Sequence, residues 1–425
     1  MKKIILLLIV QLFTISSSYS ELTIKIDRAE IGALPIMIHV DESSKNYSAK
    51  NFKDVIESDL FNSGYFNILD SSKVKNTIKN KGTQYALWNL AGANYFLKAN
   101  IYKDEDKDFI KFELHNVIKK NVTISYKINL NKSSNIRKIS HTISNVVFED
   151  ITGIKGIFDT KIAYISTEKT LERKIYKLHV ADIDGYNSVA IYKSSKQLMS
   201  PTWSPKNDKI AYVSFENNRP QIFIQTLSTG ERIKLLKGKK SSSAPAWSPD
   251  ERFMAYTASV NGNLEIFIYN FSEKSTRRFT NSIGIDTEAE WHPESNKIFF
   301  TSDRSGNPHI YSKLLSKGKS KRLTFDGTYN ADANISSDGK FLSLVHNGGN
   351  GHKIGIYSID DKYLKIISKR GRLDEAPSFA PNNKMVLFAS KKLNKGILVA
   401  TSNDGRIRKE IELVGEDVRE PIWSH

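Results

Sequence analysis

The stretch Pro201–Phe215, PTWSPKNDKIAYVSF, returns twice in this chain with variations. The later copies are PAWSPDERFMAYTAS from Pro245 and EAEWHPESNKIFFTS from Glu288. A period in the low forties is typical of the four-stranded blade of a β-propeller, so the phrase predicts a ring of blades. Aligning the copies on one bulky residue and extending the series gives six anchors spaced 44 residues apart: Trp203, Trp247, Trp291, Ile335, Phe379 and Trp423.

Each period has the content of one blade. After the anchor come a turn rich in Pro, Asn, Asp and Gly and then an apolar strand such as KIAYVS from Lys209. A third strand, such as QIFIQT from Gln221, and a charged fourth strand, such as RIKLL from Arg232, follow. Charged residues suit an outer sheet edge because they discourage further pairing. Since one blade cannot bury both of its faces alone, we interpret the bulky anchors as packing between blades.

The two ends of the repeat complete each other. The chain stops two residues after Trp423, so this anchor has no second strand behind it. KIAYIS from Lys161 nearly repeats KIAYVS but has no Trp-Ser-Pro phrase in front of it. We therefore predict that the carboxy-terminal strand is the innermost strand of the first blade. It closes a six-bladed β-propeller over residues 156–425.

The preceding residues lack the repeat. Residues 1–20, MKKIILLLIVQLFTISSSYS, place two lysines before a short apolar run and small residues, which is the layout of a signal peptide. Alternation in ELTIKID predicts a strand, and helical spacing predicts a helix over Ile136–Glu149. We expect residues 21–155 to form an α/β sandwich. The predicted fold class is thus an amino-terminal α/β sandwich followed by the propeller.

Composition excludes several kinds of chemistry. The chain has no cysteine, so disulfides, thiolate metal sites and a cysteine nucleophile are excluded. The formal net charge is +17, but the basic runs are short and without interleaved aromatic residues, so we expect no nucleic-acid binding. Asp104–Asp106 and Asp182–Gly185 are interpreted as hairpin turns because each lacks the rest of a calcium loop. We expect no cofactor, no metal, a monomer, and no transmembrane span in the mature protein.

Several stretches are unusual and non-repetitive: NSGYFNILD, FEDITGIKGIFDTKIAYIS, VADIDGYNSV, QLMSPTWSP, DGTYNADANISSDGKF and LDEAPSFAPN. In these stretches both domains resemble the TolB family, the periplasmic components of the Tol-Pal system of Gram-negative envelopes. The resemblance implies a non-enzymatic periplasmic adaptor, held at the outer membrane through the lipoprotein Pal. It implies Pal binding at one mouth of the propeller and TolA binding at the amino-terminal segment, in support of outer-membrane integrity and cell division. Outer-membrane proteins or colicins are further implied partners.

The resemblance also implies which residues bind the partners. Acidic residues recur on the rim, so we expect an acidic collar that receives basic or amide groups of Pal; alternatively, these carboxylates cap turns. The implied Pal-binding rim is Met199, Ser200, Pro201, Ser243, Ala244, Pro245, Asp286, Thr287, Glu288, Ala331, Asp332, Asp374, Glu375, Arg419 and Glu420. The implied TolA-binding segment is Glu21, Leu22, Thr23, Ile24, Lys25, Ile26 and Asp27. This segment is either a detachable strand captured by strand addition or an ordinary edge strand of the first domain.

Three other functions are less compatible with this sequence. It could gate a prolyl-oligopeptidase-like peptidase, but the chain has no Gly-x-Ser-x-Gly nucleophile elbow. A zinc hydrolase is disfavoured in the same way, because no His-Glu-x-x-His motif occurs. A glycan-binding propeller would present exposed aromatic residues, whereas the repeating aromatic residues here lie within strands. We therefore expect no enzymatic activity.

Overall fold

The computed structural model describes most of the chain in ten segments. They are residues 22–27, 32–42, 47–74, 84–131, 133–171, 173–238, 240–316, 318–368, 373–413 and 416–425. The predicted signal peptide and Glu21 lie outside them. Within these segments, no helix combines the length and the apolar character needed to cross a membrane.

A five-stranded sheet covered by helices forms the amino-terminal domain. After β1 (Leu22–Asp27), its elements are β2 (Leu34–Glu42), α1 (Ala49–Asn62), β3 (Phe66–Leu69), a 3-10 helix (Ser71–Val74), α2 (Tyr85–Leu90), β4 (Tyr95–Asp104), β5 (Lys107–Asn116), β6 (Asn121–Leu130) and α3 (Ile136–Thr152). The sheet order is β3-β2-β4-β5-β6, with β2 parallel to both of its neighbours. The crossover helix α1 makes this parallel pairing possible.

Capping residues and apolar faces position the two long helices. The Ser48 side chain accepts a hydrogen bond from the backbone of α1, and the Asn135 side chain does the same for α3. Phe52 of α1 and Val147 of α3 are completely buried in the core that these helices form with the sheet. Helix α3 ends three residues later than predicted. It continues to Thr152 because Gly153, with φ 68°, supplies the left-handed conformation that ends helices.

Six sheets form the propeller, in agreement with the prediction. Blade 1 contains β7 (Lys161–Lys169), β8 (Lys174–Asp182), β9 (Val189–Ser194) and, from the end of the chain, β30 (Asp417–Trp423). Blade 2 contains β10 (Leu198–Trp203), β11 (Lys209–Ser214), β12 (Gln221–Thr226) and β13 (Arg232–Lys234). Blade 3 contains β14 (Ser243–Trp247), β15 (Phe253–Val260), β16 (Asn263–Asn270) and β17 (Ser275–Arg278).

The other three blades follow the same order from the innermost strand outward. Blade 4 contains β18 (Asp286–Trp291), β19 (Lys297–Ser302), β20 (His309–Leu314) and β21 (Lys321–Arg322). Blade 5 contains β22 (Tyr329–Ile335), β23 (Phe341–Asn347), β24 (Lys353–Ser358) and β25 (Tyr363–Ile366). Blade 6 contains β26 (Glu375–Phe379), β27 (Met385–Lys392), β28 (Lys395–Ser402) and β29 (Arg408–Leu413).

The carboxy-terminal strand closes the ring, as predicted. In the antiparallel pair of β30 with β7, Trp423 lies opposite Ile162. The Trp423 side chain is 3% exposed, and its Nε1 donates to Thr160 Oγ1 at 2.8 Å. The interpretation of the anchors as packing between blades is also supported, because Trp291 Nε1 donates to the backbone oxygen of Ala246 in the preceding blade at 3.1 Å.

The position of β1 corrects the sequence-based assignment of this strand to the amino-terminal domain. It pairs antiparallel with β29 from Leu22 opposite Leu413 to Asp27 opposite Arg408, and so forms a fifth, outermost strand of blade 6. Alternating residues predict a strand but do not identify its partner. The six-residue β29 gives β1 a full-length edge. The fourth strands of blades 2 to 5 have only two to four residues, and β9 of blade 1 has six. We propose the boundary between residues 155 and 156, in the connection from α3 to β7.

Candidate protein-binding rim

A β-bulge recurs in the innermost strand of every blade. The register shifts at the same place in each pair with the second strand. One residue at each bulge has a φ of 46° to 53°: Ser200, Ala244, Glu288, Asp332, Ala376 and Glu420. Proline follows this residue in four of the six blades. Proline has no N–H, and it is tolerated at a bulge because one residue there is not paired with the neighbouring strand. The six bulges are 44 residues apart and surround one opening.

This opening is a cavity of about 420 Å³. The predicted rim residues that line it are Met199, Ser200, Pro201, Ala244, Pro245, Glu288, Asp332, Glu375, Arg419 and Glu420. The predicted residues Ser243, Asp286, Thr287, Ala331 and Asp374 are not among its lining. Additional lining residues that the sequence analysis did not name include Glu290, Asn334 and Ala376. The structure therefore brings two thirds of the expected rim to one site.

Two of the six rim acids are buried within blades. Asp286 is 0% exposed, and its carboxylate accepts from Arg304 Nη2 at 2.6 and 2.8 Å. Asp374 is also 0% exposed, and its Oδ1 accepts from Ser390 Oγ at 2.6 Å. These two carboxylates bind side chains of their own blades. They are not exposed at the surface and so cannot take part in an acidic collar.

Three further rim acids bind the backbone of the next blade. Glu288 Oε2 accepts from Asp332 N at 2.9 Å and from Thr301 Oγ1 at 2.7 Å. Asp332 in turn accepts from the backbone N–H of Ala376. The Glu420 carboxylate accepts from the backbone N–H of Ser200. In each pair, the N–H of the bulge residue donates to a carboxylate of the preceding blade, so these acids connect neighbouring blades.

A second layer of such bonds lies one step deeper in the channel. Glu290 Oε1 accepts from Asn334 Nδ2 at 2.9 Å and from Ile335 N at 3.3 Å. Asn334 Oδ1 accepts from Phe379 N at 2.8 Å. Glu290 and Asn334 each directly precede an anchor, so the 44-residue period contained the signal that would have identified them.

Burial favours the neutral, protonated form of these acids. Burial raises the pKa of Glu290 and of Glu420 to about 7, and the hydrogen bonds from backbone N–H groups only partly oppose it. Burial, together with the negative charges of Glu288, Glu420 and Glu375, raises the pKa of Asp332 well above its ordinary value. The channel wall is therefore less negative near neutral pH than its composition suggests.

The surface available to a partner combines one exposed carboxylate with exposed apolar residues in the surrounding loops. Glu375 is the exposed acid of the six. Leu171 in the β7–β8 hairpin and Leu393 in the β27–β28 hairpin are 108% and 97% exposed, and both hairpins extend from the same end of the propeller as the bulges. Ile283, before β18, is 100% exposed at this end. Apolar side chains around a polar opening suit a folded protein partner.

Three of the four anchor tryptophans do not offer a sugar-binding surface, and the fourth, Trp247, is half-buried. Trp203, Trp291 and Trp423 are between 1% and 3% exposed, so their ring faces are unavailable for stacking on a glycan.

Comparison with known proteins agrees with this architecture. Residues 22–123 match the family described as TolB amino-terminal domain, and residues 148–425 match the TolB beta propeller domain. A protein of Hydrogenovibrio crunogenus named Tol-Pal system protein TolB is 43% identical, with 100% of this chain and 99% of that protein covered. A relative of the same name from Xanthomonas oryzae pv. oryzae is 44% identical over 95% of this chain and 93% of that protein.

A solved structure extends the similarity to three dimensions. The crystal structure of TolB from Acinetobacter baumannii superimposes with a TM-score of 0.86 at 37% sequence identity, covering 95% of this chain and 100% of that one. Both domains, their order and the ring of blades are thus shared with proteins of one family. The chain belongs to the TolB family of Tol-Pal system proteins.

Proposed function

We propose that this protein is a non-enzymatic periplasmic adaptor that binds Pal through the propeller rim. The observation that carries the proposal is the convergence of six bulged strands on one opening, surrounded by exposed apolar tips and the free carboxylate of Glu375. Loops held by a rigid scaffold are the usual location of binding residues. Binding to Pal would hold the protein at the outer membrane, where it supports membrane integrity and cell division.

We further propose that β1 is the segment that binds TolA. As the outermost strand of blade 6, it is paired by its backbone with β29 alone among the described strands. A strand held along one edge can be captured by the sheet edge of a partner, since the same backbone groups serve either pairing. This placement favours a detachable strand over an edge strand of the first domain.

Charge reversal at the free acid tests Pal binding. Glu375→Arg should weaken capture of purified Pal at least tenfold in a pull-down, because Glu375 is exposed and its carboxylate makes none of the hydrogen bonds described above between neighbouring blades. The matched control is Glu231→Arg, which changes an exposed acid in the β12–β13 turn at the opposite end of the propeller. Equal capture by both variants and by the unchanged protein would contradict the proposal.

Deletion of residues 22–27 tests the strand. The deleted protein should lose binding to purified TolA while its propeller retains its cooperative unfolding transition, because the four strands of blade 6 pair without β1. Retained TolA binding would overturn the assignment. A large loss of stability without a loss of binding would show that β1 is a structural strand only.

A further inference from the structure

Five titratable or charged side chains meet where the two domains touch. Asp59 lies on α1, and Arg137 and His141 lie on α3, so these three belong to the amino-terminal domain. Asp184 follows β8, and Lys409 lies on β29, so these two belong to the propeller. Asp59 and His141 are each 3% exposed and Lys409 is 7% exposed. Buried charges of this kind are costly unless each has a partner.

His141 is placed between the carboxylates of the two domains. Its Nδ1 is 2.8 Å from Asp59 Oδ2. Its Nε2 is buried without a hydrogen-bond partner among the described residues and lies 3.9 Å from Asp184 Oδ2. A displacement of about 1 Å would bring this nitrogen to hydrogen-bond distance of the propeller carboxylate.

The remaining groups balance the charge of the cluster. Arg137 forms an ion pair with Asp184 across the domain contact and lies 3.9 Å from the ring centre of Tyr186. Lys409 Nζ donates to the backbone oxygen of Ile183 at 3.4 Å. Two carboxylates therefore face two cations. His141, Asp59 and Asp184 are close enough to hold a metal ion, but a divalent cation would add two uncompensated charges to this buried site.

We propose that the cluster is a proton-operated clamp between the domains. The imidazolium of His141 donates from Nδ1 to Asp59 and from Nε2 to Asp184, so one protonated side chain bridges α1 and the propeller. The neutral imidazole has only one N–H, which Asp59 retains, and the bond across the domain contact is not made.

The electrostatic surroundings support this role. Burial lowers the pKa of His141, but the hydrogen bond and charge of Asp59 and the charge of Asp184 more than offset it, and the pKa is raised overall, against the opposing charge of Arg137. Burial also raises the pKa of Asp59, so the pair as a whole holds a proton firmly. A raised histidine pKa stabilises the folded protein below about pH 6.5, and this contribution is lost as the pH rises through the folded value.

Lys409 changes the stability of the folded protein in the opposite direction, and at higher pH. Burial lowers its pKa to about 8, although the charges of Asp184 and Asp59 oppose the change. Protonated Lys409 therefore costs stability at lower pH, and this cost is relieved as the pH rises above about 8. Overall stability at different pH values therefore reflects both groups, and the clamp is tested by the coupling between His141 and Asp184, compared at pH 6 and at a pH above the His141 midpoint.

A double-mutant cycle between the domains tests the clamp. At pH 6, His141→Gln and Asp184→Asn should each lower the melting temperature by several degrees, and the double variant should lose clearly less than the sum. Above the midpoint of the His141 titration the two losses should add, because the bridge is no longer formed. His39→Gln is the control, since His39 pairs with Asp41 at 2.9 Å within the first domain and should not couple to Asp184 at either pH. Equal coupling of His141 and Asp184 at both pH values would overturn the proposal.

A direct titration gives a readout that does not depend on variant stability. In the unchanged full-length protein, NMR should show the His141 ring titrating above about pH 6.5. Asp184→Asn should lower that midpoint, because it removes the negative charge that faces Nε2. A His141 midpoint below 6.5, or one unaffected by Asp184→Asn, would rule out a bridge to the propeller.

Discussion

Glu290 gives a quantitative test of the bonds between blades. Glu290→Gln replaces the carboxylate with an amide. The amide oxygen can still accept from Asn334 and Ile335, but the ionisable group is removed. A pKa raised from 4.5 to about 7 corresponds to about 3 kcal/mol. Because the folded protein binds this proton more tightly than the unfolded chain, the free energy of unfolding falls as the pH rises from 4.5 to 7 and then levels off. The variant should therefore be more stable than the unchanged protein by about 3 kcal/mol at pH 8 and by almost nothing at pH 4.5.

Urea unfolding from pH 4.5 to 8 would measure this difference. Four of the five tryptophans lie in the propeller, so their fluorescence reports mainly on the ring. Glu231→Gln is the control, because an exposed acid in a turn should leave the pH profile unchanged. If Glu290→Gln and the unchanged protein show the same dependence on pH, the carboxylate does not hold a proton in the channel and the reasoning fails.

Two further predictions concern stability. Arg304→Met should lower the free energy of unfolding by about 3 to 5 kcal/mol in urea titrations, since it leaves the Asp286 carboxylate buried without its cation; a loss below about 1 kcal/mol would contradict a buried ion pair. Ending the chain before Asp417 should abolish the cooperative unfolding of the propeller in circular dichroism, because blade 1 loses its innermost strand. A truncated ring with unchanged stability would contradict closure by β30.

The overall fold could be predicted because its signal is explicit in the sequence. Six anchors at one spacing count the blades, and KIAYIS without a preceding Trp-Ser-Pro phrase matches a final Trp423 without a following strand. The partner of β1 could not be predicted in the same way. Alternation specifies which residues share a face, but it does not identify the sheet edge on which a strand pairs.

The resemblance supplied the expected rim residues, and their role in binding stays a prediction. Their internal bonding could not be predicted, because a carboxylate such as Glu288 binds a backbone N–H that lies 44 residues away in the next blade. The left-handed bulge position is occupied by Ser, Ala, Glu or Asp and never by Gly in the six blades, so no residue type identified it. Among six apparently equivalent acids, burial and hydrogen bonding leave Glu375 as the exposed one, and neither property is visible in a local pattern.

Site-specific photo-crosslinking would test the docking of Pal at the rim most directly. A photoreactive amino acid would be placed at Met199, which lines the opening, and in a second protein at Glu231, at the opposite end of the propeller. After irradiation with purified Pal, the account predicts a crosslinked product from position 199 and none from position 231. A product from position 231 alone, or from neither position under conditions in which the complex forms, would contradict the account.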